Sequence, residues 1–123
     1  MNNVIYLNGE EHKEFNLEED TIIYHFSIDK SSDITINLNK EDITLYYYYN
    51  NINYNDNNYK IRVNHNKSNT KSFVYNHGVN VNNSKLHYWV DGYVPKKSNG
   101  CDCNQDNQII NIKMVIVRFG LIY

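Results

Sequence analysis

Alanine is absent from the chain, proline occurs once, at Pro95, and cysteine twice, at Cys101 and Cys103. Without alanine the best helix former is missing, and the abundant Ile, Tyr and Asn favour strands and turns instead. An A/T-rich genome, whose codons most readily encode Asn, Ile, Lys and Tyr, would push composition the same way. Two cysteines are too few for a disulfide framework and point to free thiols in a reducing compartment. Neither sign of charge is in excess: 12 basic side chains against 14 acidic ones give −2. That balance leaves no electrostatic footprint for nucleic acid or an anionic membrane. No apolar run approaches the roughly 20 residues of a membrane-spanning helix. Residues 1–7 lack the basic start and long apolar core of a secretory signal, so a cytoplasmic location is expected. There is no Gly-x-Ser-x-Gly nucleophile motif, phosphate-cradling glycine loop or suggestive carboxylate pair, so a self-contained enzyme is not expected. A length of 123 residues allows one domain, residues 1–123, with residues 1–20 as an N-terminal cap.

What is present is alternation. Residues 4–7 read as a short strand closed by Asn8-Gly9. The acidic residues 10–20 have room for a short helical turn. From 21 to 28 the chain alternates, with Ile22, Tyr24, Phe26 and Ile28 on one face. A polar turn over 29–33 leads to Ile34, Ile36 and Leu38, another over 39–42 to Ile43, Leu45, Tyr47 and Tyr49. In the run Tyr46-Tyr47-Tyr48-Tyr49 two rings must leave the core face. Residues 50–58 read as a polar connection, after which Tyr59, Ile61 and Val63 alternate again and 64–69 bends the chain. The run over 73–95 reads as strand broken by turn three times, at gaps filled by Gly, Asn, Ser and Pro. Strand-like segments thus recur about every 10–12 residues, which fits a sandwich, a barrel or a stacked β-solenoid. Few two-residue hairpin turns are available, which tilts the pattern toward the solenoid and leaves a β-sandwich as the alternative.

Four pieces in order across the second half resemble the core domain of the SufB/SufD family of iron–sulfur cluster assembly proteins. Val63-Asn64-His65-Asn66-Lys67-Ser68-Asn69-Thr70-Lys71-Ser72 is similar to the family's His-containing segment ending in Asn-Thr-x-Ser. Val74-Tyr75-Asn76-His77-Gly78-Val79 and Ser84-Lys85-Leu86-His87-Tyr88-Trp89-Val90-Asp91-Gly92-Tyr93-Val94 resemble the two segments after it. The fourth piece, over residues 100–112, resembles a segment with a Gln, an Asn and then a Leu-rich strand. The resemblance implies a right-handed parallel β-helix serving as a scaffold for cluster assembly. It also implies a SufB/SufD-like partner subunit and a SufC-type ATPase, with an iron–sulfur cluster held only within a complex.

The likeness fades after Ile112. The family would continue with a Ser-Thr-x-x-Pro-Asn-Leu strand and then the region carrying its functional His or Cys, and no residue here matches those positions. One back-translation of residues 114–123, read one nucleotide earlier, gives Asn-Gly-Asn-Ser-Thr-Ile-Arg-Pro-Asn-Leu, so the tail over 113–123 is expected to be out of frame. The plain alternative is a final strand carrying Val115, Val117 and Phe119.

Cys101 and Cys103 are the first candidate metal ligands, because soft thiolates suit Zn²⁺, iron or a cluster and alternate strand residues share a face. A Cys-x-Cys pair supplies two ligands where a closed site needs about four, so two free thiols on a rung is the plainer reading. Of His12, His25, His65, His77 and His87, none has metal-ligand spacing. His65 is the best candidate of the five because it lies in a family-like segment, where bracing a bend is its plainer role. Gly78, Gly92 and Gly100 read as positions of positive φ or close rung packing. Trp89 and the tyrosines have the faces to stack on sugars or bases, and with no basic groove an aromatic ladder along a solenoid explains them better.

Overall fold

Segments of alternating hydrophobicity joined by Asn, Asp and Gly corners become strands wound into a coil. The computed structural model describes residues 3–9 and 12–113. Both readings of the tail over 114–123 fall outside the described residues. The strands are β1 (Asn3–Asn8), β2 (His12–Leu17), β3 (Thr21–Ile28), β4 (Ser32–Leu38), β5 (Thr44–Asn53), β6 (Asn57–His65), β7 (Lys71–Val81), β8 (Leu86–Tyr93) and β9 (Asp102–Ile112). Odd-numbered strands form one sheet in the order β1-β3-β5-β7-β9, and even-numbered strands a second in the order β2-β4-β6-β8. Every pairing is parallel. Each strand therefore pairs with the one a full coil away, and the fold is a β-solenoid with two strands per coil. The sandwich alternative is excluded, since no strand forms a hairpin with its chain neighbour among the described residues. No helix among those residues is long and apolar enough to cross a membrane.

The corners use left-handed backbone. Gly9, Asp29 and Asn82-Asn83 turn the chain from the five-stranded sheet to the other, and Asp42, Asn69 and Gly100 turn it back, all with positive φ. Gly, Asn and Asp are the residues that tolerate this region, which is why they punctuate the sequence. Corners also stack: the Asp29 N–H donates to the Ile52 carbonyl at 2.7 Å and the Asn69 N–H to Asn99 at 2.7 Å. The Asp29 carboxylate accepts from the backbone N–H groups of Tyr54 and Asn55 and from the Asn57 amide, one coil on.

Inside, the two sheets meet over Ile23, Ile34, Ile36, Leu45, Tyr47, Tyr49, Tyr59 and Ile61, all fully buried. Tyr49 of β5 stacks on Tyr59 of β6 with ring centroids 3.9 Å apart and joins the two sheets. Toward β9 the interior turns polar: Asn51, Asn53, Asn57, Asn76 and Asn80 are buried and linked by amide hydrogen bonds of 2.8–3.1 Å. The coil also widens. Paired positions are 18 residues apart at Asn3–Thr21, 24 at Thr21–Leu45, 27 at Thr44–Lys71 and 31 at Lys71–Asp102.

Several expectations need correction. Residues 12–17 are not helical: β2 pairs with β4 along its whole length, and coil-to-coil hydrogen bonding overrides its largely polar, weakly strand-forming sequence. The connection expected over 50–58 shrinks to 54–56, because the buried asparagine ladder extends β5 to Asn53 and starts β6 at Asn57. The stretch over 73–95 holds two long strands and one corner, and β7 runs straight through Asn76, His77 and Gly78. Gly78 and Gly92 have no positive φ; a Cβ on Gly78 would come within 2.5 Å of Asn51 Oδ1, so close packing is what requires them.

The face of β3 is also inverted relative to hydropathy. Thr21, Ile23, His25 and Ser27 point inward, while Tyr24, Phe26 and Ile28 face solvent. Register decides this, because Ile23 and His25 pair with the inward Tyr47 and Tyr49, and a one-residue slip would turn the whole set around. Ile23→Ala should therefore lower stability to urea by about 2–5 kcal/mol, and Ile28→Ala by under about 1 kcal/mol. Equal effects would contradict this assignment of faces.

Candidate functional site

In the four-stranded sheet, one inward column runs Leu17, Leu38, His65. The third coil thus places an imidazole where the first two place leucine, and His65 is fully buried. Its Nδ1 lies 2.7 Å from Thr70 Oγ1 and its Nε2 3.0 Å from Ser72 Oγ. Thr70 Oγ1 donates its own proton to the Lys67 carbonyl at 3.1 Å, so it accepts from His65 Nδ1–H. His65 Nε2 is then the acceptor for the Ser72 hydroxyl. Both imidazole nitrogens are satisfied without a charge, and burial lowers the His65 pKa from its ordinary range.

Each hydroxyl meets one of the two thiols. Thr70 Oγ1 is 3.4 Å from Cys101 Sγ, which also lies 3.5 Å from the Lys67 carbonyl. The Ser72 side chain bears on Cys103; these two residues pair across β7 and β9. Cys103 fits because residue 92 is glycine, and a Cβ there would stand 2.6 Å from Cys103 Sγ. Burial first, then the neighbouring Cys101, pushes the Cys103 thiol above its ordinary value. Both cysteines are free thiols.

The three candidates taken from the sequence, His65, Cys101 and Cys103, are thus gathered in one place, with hydroxyls standing between the imidazole and the sulfurs. His65 is committed to those hydroxyls and offers no ring nitrogen to a metal. No group of three or more metal-ligating side chains is assembled among the described residues. The cluster offers two thiols and no more. Thr70 and Ser72 went unnoticed as site residues, although both lie in the Asn-Thr-x-Ser segment that resembles the SufB/SufD family. His12 and His87 are exposed on β2 and β8. His77, on the outer face of β7, lies 3.4 Å from Asp106 Oδ2.

This cluster sits at the last coil of the described residues. β8 pairs only with β6 and β9 only with β7, so each has one strand edge without a partner among the described residues. Set against known protein families, curated proteins and solved structures, the chain matches none of them.

A second buried imidazole, His25, lies 2.6 Å from the Tyr47 hydroxyl, and desolvation lowers its pKa to about 4. Folded His25 stays neutral while an unfolded histidine protonates near 6.5. The unfolded chain therefore binds more protons between those values, and stability is lost as pH falls from about 6.5 to about 4. From His25 the loss should be on the order of 2–3 kcal/mol, with His65 adding in the same direction. Urea unfolding across that range should show it, and His25→Leu should flatten the slope; an unchanged slope would contradict the account.

Proposed function

We propose that the chain is a non-catalytic scaffold component of iron–sulfur cluster assembly, of the SufB/SufD kind, acting in the cytoplasm. The observation that carries this reading is where the family-like stretch lies in the fold. Its four pieces, over 63–72, 74–79, 84–94 and 100–112, run in order from the end of β6 through β7, β8 and β9. A parallel β-solenoid is the architecture that the resemblance implies, and the described strands form one.

The mechanism is positional. The open edges of β8 and β9 can accept strands from a second SufB/SufD-like subunit through backbone hydrogen bonds. Two thiols near those edges amount to half of the roughly four ligands a cluster takes. A cluster handled as cargo would therefore sit at the junction between subunits, with the partner supplying the remaining ligands. The free thiols fit a reducing compartment. A SufC-type ATPase completes the assembly that the resemblance implies.

A second reading, a binding module for carbohydrate or a protein surface, is favoured by the exposed tyrosines. Tyr6, Tyr24, Tyr48 and Tyr75 stack in one column outside the five-stranded sheet, with centroids 4.8–5.5 Å apart. Gel filtration with light scattering separates the two readings. Mixed at micromolar concentration with a SufB-like subunit and a SufC-type ATPase from the same source, the chain should co-elute with them. A Tyr24→Ala/Tyr48→Ala variant should co-elute equally well. A chain that stays monomeric beside both partners would reject the scaffold, and loss of association on removing the tyrosines alone would favour the module.

A further inference from the structure

Two aromatic columns climb the outer face of the five-stranded sheet and stop at the same rung. In one, Tyr46 of β5 stacks on Phe73 of β7 with centroids 4.9 Å apart and planes 10° from parallel. In the other, Tyr48 stacks on Tyr75 at 4.8 Å and 7°. On β9 the next positions are Asn104, paired with Phe73, and Asp106, paired with Tyr75. Short polar side chains thus follow two large rings, and the step leaves a cavity of about 230 Å³ lined by Phe73, Tyr75, Asn104 and Asp106 with the backbone between them.

The geometry points to a binding site at this missing rung for a small planar aromatic cation. A flat ring laid over Asn104 on β9 would stack on Phe73 as the next member of that column, with its edge beside Tyr75. The electron-rich faces of those rings attract positive charge. The floor adds a carboxylate: Asp106 Oδ2 already accepts from Gln108 Nε2 at 3.1 Å and lies near His77, which aims the group along the outer face. Asp102 lies on the same face of the strand but is paired with Lys71, so Asp106 is the carboxylate that the site presents. A positive ring edge, such as an amidinium or a protonated aminopyridine, complements that floor, and an anionic ring of equal size does not. The site lies on the outside of the sheet, away from the thiol cluster, and does not depend on any role in cluster assembly.

Titration with p-aminobenzamidine, read by its fluorescence and by saturation-transfer NMR, tests the site, with benzoate as the anionic ring of similar size. The amidine should bind and benzoate should not. Asp106→Asn and Tyr75→Leu should each weaken amidine binding roughly tenfold. Asn104→Tyr, which places the chain's own ring on the empty rung, should abolish binding and raise the thermal midpoint, so loss of signal cannot be mistaken for unfolding. Equal binding of benzoate and the amidine, or unchanged amidine binding in folded Asn104→Tyr protein, would overturn the assignment.

Discussion

The molecule depends on one constraint: each strand must give its backbone hydrogen bonds to the strand one coil before and one coil after. Parallel pairing in register lays residues of the same parity above one another, so every inward position belongs to a column that must pack along its length. The columns explain features that single residues do not. Ile5, Ile23, Tyr47 and Val74 form one such column, and Leu7, His25, Tyr49 and Asn76 its neighbour. A polar residue in such a column is costly unless the next rung or the facing sheet satisfies it. His25 Nε2 and the Asn76 amide nitrogen are buried without a partner among the described residues and carry that cost.

The interior shows how that condition is met as the coil widens. Early coils are lined mainly by Ile, Leu and Tyr, with Thr21, His25 and Ser27 buried among them. Later ones admit Asn51, Asn53, Asn76 and Asn80, whose amides bond to one another along and between rungs. His65 follows the same rule at its own place, exchanging leucine packing for two hydroxyl contacts. The polar drift brings hydroxyls and thiols together at the last described coil. Gly92 makes room there, since any larger residue would displace Cys103.

The two outer faces differ. Outside the four-stranded sheet, Asn37, Asn39, Asn64 and Asn66 form side-chain ladders with Glu14 and Asn16, a wet surface. Outside the five-stranded sheet the columns are aromatic, and their rings shield one another by stacking. The strand edges of β8 and β9, unpaired among the described residues, and the aromatic face are thus distinct features, one of backbone and the other of side chains.

The sequence by itself determined the β class, the placing of β3 and β4, the inward set of β4 and β6, and the Asn, Asp and Gly corners. These follow from local causes, two-residue alternation and tolerance of left-handed backbone. The expected likeness to a solenoid family also favoured the coil over the sandwich and drew attention to His65, while Cys101 and Cys103 stood out through thiolate chemistry and their alternate spacing. Tertiary structure alone decided the rest. The coil length grows from 18 to 31 residues, so no fixed repeat exists to be read. In β3 both faces carry apolar groups, and only pairing with β5 chose Ile23 over Ile22 for the core. Largely polar β2 is a strand because β4 lies beside it. Distant His65 and the two thiols meet because one turn of the coil separates them in space, a distance that spacing along the chain does not encode.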